Sequence, residues 1–244
     1  EFNNNDSVTS ASSIVYSVSL EPTDRQYLPV LDWPRTAQAP FFLTQEASLY
    51  SDKPIQKLTQ YNAESWTSRS PINTLNDSQR RRALALPAGL NPRSVALAKQ
   101  WRQESIGDRA YIDRVLQWIN ADFRYTLATE EPGLNGADEF LFDQKEGFCQ
   151  HFSSSFAVLM RAAGIPARVV TGYAGGYKNP YGDYWVLYQK DAHAWNEVWL
   201  EGEGWVRIDP TAAVAPENIL DTLTSSTGAE SYFGERSLLS PLLD

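Results

Sequence analysis

The sequence predicts an α+β fold, β-rich at its start and built as helices followed by an antiparallel sheet in its second half. Three observations carry that reading. Short alternating runs such as Ile14-Val15-Tyr16-Ser17-Val18-Ser19-Leu20, punctuated by prolines at 22, 29, 34, 40, 54 and 71, mark strands before about residue 86. Apolar residues at i, i+3, i+4 and i+7 mark helices in the middle of the chain. Strand-like runs at 168–172, 184–189, 193–200 and 205–208 follow, the last two joined by Glu201-Gly202-Glu203-Gly204. The organisation expected is a β-rich region over residues 1–90, a helix-then-sheet core over 91–216 and a Ser/Thr-rich tail over 217–244.

Composition sets the limits. The 244 residues carry 21 Lys and Arg against 30 Asp and Glu, a net charge of −9, and 12% of them are aromatic, with eight tryptophans. Such aromatic content demands burial and excludes a disordered polyelectrolyte. The acidic balance argues against nucleic acid, because the densest basic run, Arg80-Arg81-Arg82, is three residues long. One cysteine rules out an intramolecular disulfide, and with two histidines it leaves no expected metal centre and no expected cofactor. No stretch approaches the roughly 18 consecutive apolar residues of a membrane helix, and residues 1–6 have neither a basic region nor an apolar signal core. The chain, which does not begin with methionine, reads as a soluble segment of a longer protein.

The helices follow from their caps and stripes. Asn91-Pro92 offers an N-cap followed by proline at the first helical position, ahead of Val95, Leu97 and Trp101. Asp108 is placed to cap a second helix in which Ile112, Val115, Leu116 and Ile119 form one apolar stripe. A third opens at Phe148-Cys149, carries Phe152, Phe156, Leu159, Met160 and Ala163 inward, and stops at Gly164.

Cys149 therefore sits at a helix start. There the helix dipole and unpaired backbone N–H groups favour thiolate over thiol, and the same N–H groups can donate to an oxyanion formed on attack at a carbonyl. Gly147 is expected to leave the approach to the sulfur open. A nucleophile of this kind needs a base. His151 is two residues along the helix, about 200° of rotation away, so its ring points elsewhere and it reads as a packing histidine. His193 is the other candidate, at the start of a predicted strand.

Hairpin parity supplies the third member. If 193–200 pairs with 205–209 across the Gly-rich turn, His193 and Asp209 share a face, directly opposed or diagonal and within about 7–8 Å between α-carbons. A carboxylate there can hold Nδ1–H and leave Nε2 directed at the sulfur. The same register sets Glu197 near Arg207 as an ordinary hairpin ion pair. Trp118, Tyr173, Trp185 and Trp195 are candidates for an aromatic channel, with plain core as their alternative reading. No residue stands out as a second oxyanion donor.

These residues also carry a family resemblance. The segment from Asp138 to Phe142, then Gly147-Phe148-Cys149-Gln150-His151-Phe152, Arg161-Ala162-Ala163-Gly164-Ile165-Pro166-Ala167-Arg168, Asp191-Ala192-His193-Ala194-Trp195-Asn196-Glu197 and Trp205-Val206-Arg207-Ile208-Asp209-Pro210, resembles the transglutaminase core over roughly residues 108–216. The wider chain is similar to the periplasmic segment of the TgpA-type bacterial inner-membrane transglutaminase-like proteins. The resemblance implies a papain-like α+β core and a catalytic triad of Cys149, His193 and Asp209. It also implies acyl transfer from a glutamine donor in a protein or peptide to an amine acceptor or water, in the periplasm, with cell-envelope components among the expected partners and no general need for calcium. A cysteine peptidase or amidase of the same fold, and a non-catalytic binding module of the cell envelope, stand as alternatives.

Overall fold

The computed structural model describes residues 12–44, 46–67 and 74–215. The tail over 217–244 lies outside the described residues. The chain packs as two units, Glu1–Pro71 and Ile72–Asp244.

The first unit is β-structure. Strands β1 (Ser13–Leu20), β2 (Pro34–Ala37) and β3 (Thr59–Trp66) form an antiparallel sheet in the order β1-β3-β2. The alternation seen in the sequence is the reason: Ile14, Tyr16, Val18 and Leu20 turn inward while Ser13, Val15, Ser17 and Ser19 face water. A second small sheet joins Tyr27–Leu28, Leu49–Tyr50 and Phe42–Leu43. Leu28, Leu49, Ile55 and Tyr61 make the core, and the buried Tyr61 hydroxyl donates to the Pro29 carbonyl.

The second unit begins with a helix that proline spacing does not reveal. Residues Asp77–Leu84 form α1, within the span expected to be β-rich. Its cause is local: the Asn76 side chain accepts from Gln79 N–H at 2.9 Å, and the Gln79 side chain accepts from Asn76 N–H at 3.3 Å, a reciprocal cap. Helices α2 (Pro92–Glu104), α3 (Gly107–Asp122) and α4 (Cys149–Ala162) follow. The Ile112, Val115, Leu116, Ile119 stripe is buried as expected and packs with Phe152, Phe156 and Leu159 of α4. Helix α4 ends where Gly164 takes a φ of +82° and Ile165 N–H reaches back to Met160 at 2.9 Å.

Two caps differ from the expectation. Asn91 does precede α2, but its side chain accepts from Ala137 and Asp138 N–H at 3.0 and 3.2 Å. In return the buried Asp138 carboxylate accepts from Arg93 N–H at 2.9 Å and from Ser94 N–H at 2.7 Å. Two helix starts distant in sequence thus cap each other. Helix α3 begins one residue before Asp108, which lies in its first turn and pairs with Arg102 at 2.7 Å.

Strands β4 (Ala167–Tyr173), β5 (Ala192–Leu200) and β6 (Gly204–Ile208) form an antiparallel sheet with β5 in the centre, against which α4 packs. The strand expected over 184–189 shortens to Trp185–Val186, paired with Tyr177–Lys178. Beyond it the Asp191 carboxylate accepts from Tyr188 N–H at 2.7 Å, and this local bond curls Gln189–Asp191 into a 3₁₀ turn.

Candidate active site

The site forms where the start of α4 meets β5 and the end of β6. Phe148 is extended, and Cys149 is the first helical residue, partly buried. One turn further on, two buried hydrogen bonds fix the helix to the strand: Ser153 Oγ donates to the Ala194 carbonyl at 2.8 Å, and Asn196 Nδ2 donates to the Ser153 carbonyl at 3.0 Å. Because Ala194 follows His193 directly, those bonds set the height of the sulfur against the imidazole. Such bonds between fully desolvated partners are costly to lose, which makes the placement stiff.

Pairing runs from Asn196 opposite Ile208 to Leu200 opposite Gly204. This is the register in which His193 and Asp209 are diagonal, and His193 Nε2 bonds Asp209 Oδ2 at 2.6 Å. The other carboxylate oxygen, Oδ1, accepts from Thr211 N–H at 3.1 Å, so the carboxylate is held from both sides. Its side chain is 1% exposed and that of His193 10%. Burial lowers the pKa of His193, but the hydrogen bonds to Asp209 and Cys149 and the charges of both outweigh it, and the pKa is raised to about 9. Cys149 therefore stands close enough to the ring to strengthen its hold on a proton.

The ring is turned opposite to the sequence expectation. Asp209 holds Nε2, and Nδ1 is the nitrogen left over. The diagonal register explains this, since the ring nitrogen farther from the backbone is the one that spans to a carboxylate two positions along.

Gly147 also serves another purpose than expected. A Cβ there would lie 2.9–3.0 Å from three atoms of His151, so the glycine makes room for that ring. His151 is buried against Phe140 and Phe148, and its Nδ1 accepts from Phe148 N–H at 3.4 Å. Burial pushes its pKa below the ordinary value.

Glu197 stands opposite Arg207 in β6, as the register requires, and also opposite Arg168 in β4, whose Nε donates to it at 2.6 Å. The Arg207 guanidinium lies 4.2 Å from the Trp195 ring centre, and Trp195 stacks on His193 at 6.2 Å. A Cβ on Gly172 would come within 2.9 Å of the Trp195 ring, so the residue opposite His193 has to be small. Of the four candidate channel aromatics, Trp195 neighbours the imidazole. Trp118 packs edge-on to Trp101 and Phe123 in the helical core. Trp185 is 48% exposed on the short hairpin, and the Tyr173 hydroxyl bonds Gln189 at 3.3 Å.

Tyr125 was not found from the sequence. It lies on a two-residue strand, Arg124–Tyr125, paired in parallel with Glu146–Gly147. Burial and the charge of Cys149 raise its pKa. Among the described residues, no group of three or more His, Cys, Asp or Glu side chains is arranged to hold a metal ion.

Comparison with known proteins adds a second line. A model of the transglutaminase-like superfamily matches residues 95–210, and one of the TgpA N-terminal domain matches residues 2–71. The chain is 39% identical, over 93% of its length and 34% of the relative's, to a protein-glutamine gamma-glutamyltransferase of Pseudomonas aeruginosa. It is 31% identical to the Bacillus subtilis protein YebA, covering 73% of this chain and 25% of that one. The chain thus spans about a third and a quarter of these two relatives. The crystal structure of the periplasmic domain of TgpA from Pseudomonas aeruginosa superposes with a TM-score of 0.82 at 39% identity, over 88% of this chain and 75% of that one.

Proposed function

Because the chain belongs to the transglutaminase-like superfamily, we propose that it is an acyltransferase in which Cys149, His193 and Asp209 move the γ-glutamyl group of a glutamine side chain to an amine or to water. The observation that carries this is the buried 2.6 Å bond from Asp209 to an imidazole whose pKa is raised by both Asp209 and Cys149.

An imidazolium held there stabilises a thiolate at Cys149. The thiolate attacks the carboxamide carbon, a carbon–sulfur bond forms, and the carbonyl electron pair moves onto oxygen. The backbone N–H of Cys149, at a helix start, faces that developing charge. As the carbon–nitrogen bond breaks, His193 gives its proton to the departing nitrogen, and ammonia leaves a thioester behind. His193, now neutral, takes a proton from the incoming amine, which displaces the thiolate and gives an isopeptide. Water in place of the amine gives glutamate. Asp209 keeps the ring oriented and stabilises its cation throughout. The substrates are a glutamine in a protein or peptide and an amine. We place the reaction in the periplasm, on a domain of an inner-membrane parent, by analogy with the TgpA domain. No helix among the described residues is long and apolar enough to cross a membrane.

The test is incubation with a glutamine peptide and a labelled amine. Amine incorporation with release of ammonia is expected, and Cys149→Ala should abolish both. Cleavage of the peptide backbone without ammonia release would replace this reading with the peptidase.

A further inference from the structure

The hydrogen bond to Asp209 pins one nitrogen of the His193 ring, and one bond fixes a point of a ring rather than its plane. A tilt about that point carries Nδ1, the nitrogen left for the sulfur, off its line. We propose that Trp195, clamped by Arg207, is the positioning residue that fixes the plane of the His193 imidazole. This assignment rests on the role given to His193 in the acyl-transfer reading above.

Strand alternation brings the three groups together. Asn196 turns to α4, so its neighbours Trp195 and Glu197 turn to the opposite face of the sheet, and His193 stands two positions from Trp195 on that face. The indole and the imidazole lie 22° from parallel with centres 6.2 Å apart, an offset stack. Trp195 is itself held from both neighbouring strands. From β6 the Arg207 guanidinium lies 4.2 Å from the indole centre, a cation on a π face. From β4 Gly172 abuts the outer edge of the indole, where a Cβ would lie 2.9 Å from Cη2 and 3.3 Å from Cζ3. An indole closed in on two sides is a rigid plate for the ring stacked on it. The charges that face the imidazole are those of Asp209, from the end of β6, and Cys149, from α4. Trp195 adds no charge and sets only the plane.

The same sheet face supplies a control. Arg168 lies 4.5 Å from the Trp205 ring centre, and Arg168 and Arg207 stand on either side of Glu197. The two arginine–tryptophan pairs are alike, but Trp195 is the one stacked on the imidazole.

Arg207→Met and Arg168→Met should therefore lower the urea midpoint by similar amounts and differ in catalysis. In Arg207→Met, kcat for ammonia release from a glutamine peptide should fall about tenfold with KM within about threefold. The pKa of His193, followed by NMR, should move down from about 9 by about half a pH unit or more, as its bond to Asp209 loosens. In Arg168→Met, kcat should stay within about twofold and the titration of His193 should not move. Gly172→Ala crowds the indole from the other strand with both arginines intact, and it should reproduce the fall in kcat and in the His193 pKa. Equal kcat in the two arginine variants would overturn the assignment. So would a rise in the His193 pKa of Arg207→Met, because the guanidinium would then act on the imidazolium by charge and not through the indole. If the wild type releases no ammonia from glutamine peptides, the acyl-transfer reading fails, and the His193 titrations of the three variants still decide on Trp195.

Discussion

The first turn of α4 and the start of β5 each hold one of the two histidines of the chain, and the two imidazoles are driven in opposite directions. His151 is buried among Phe140 and Phe148 with a backbone N–H as its partner, and its pKa falls. His193 is also desolvated, yet its pKa rises to about 9, because a buried carboxylate and a thiol act on it together. Desolvation alone neutralises an imidazole. An ionised partner fixed at hydrogen-bond distance reverses the result, and so one ring shapes a helix terminus while the other is equipped to move protons.

Substituting each ring tests that contrast most severely. His193→Ala should lower kcat for ammonia release by about 10⁴-fold or more while leaving the far-ultraviolet circular dichroism unchanged. His151→Ala should keep kcat within about tenfold and instead cost about 1–3 kcal/mol in urea unfolding, through lost packing and a lost partner for Phe148 N–H. Comparable losses of kcat in both variants would erase the distinction.

Asp209→Asn sharpens it. The rate should fall by about 10³–10⁴-fold, and the pKa of His193, followed by NMR, should move down from about 9 toward the ordinary 6.5. The stability consequence has a definite sign. A group whose pKa is raised on folding contributes fully below its unfolded value, here 6.5, and that contribution is lost as pH climbs through about 9. Thermal melts between pH 7 and 10 should therefore decline more steeply for the wild type than for Asp209→Asn. An equal or shallower decline would show that the carboxylate does not hold the cation.

Gly147→Ala should act on stability, by no more than His151→Ala does. The added carbon would sit 2.9–3.0 Å from His151, and moving that ring should cost about 1–3 kcal/mol, a fall of several degrees in Tm. Wild-type stability would mean that the pocket around His151 yields easily.

Much of this was legible because it depends on local period and parity. Strand alternation placed Ile14, Tyr16, Val18 and Leu20 inward, and the 3.6-residue stripe buried Ile112, Val115, Leu116 and Ile119. Two-residue parity across the Gly-rich turn put His193 and Asp209 on one face. Helix α1 was legible too, since Asn76 and Gln79 are spaced as a reciprocal cap, but the neighbouring proline spacing drew the reading toward β-structure. The crossed caps of Asn91 and Asp138 had no such signal, because each side chain serves a helix start more than forty residues away. Tyr125 was hidden for the same reason: its neighbour Gly147 is reached through a parallel pairing that no turn announces.

By itself the sequence determined a cysteine at a helix start, and the parity of a hairpin that unites one histidine with one aspartate. Both follow from rules that act over a few residues. Tertiary structure alone decided which ring nitrogen the carboxylate takes, that Gly147 makes room for His151, and that Tyr125 pairs with Gly147, two residues before the sulfur. These depend on diagonal reach, on excluded volume and on the meeting of segments far apart in the chain, and such distances become defined only once the core has packed.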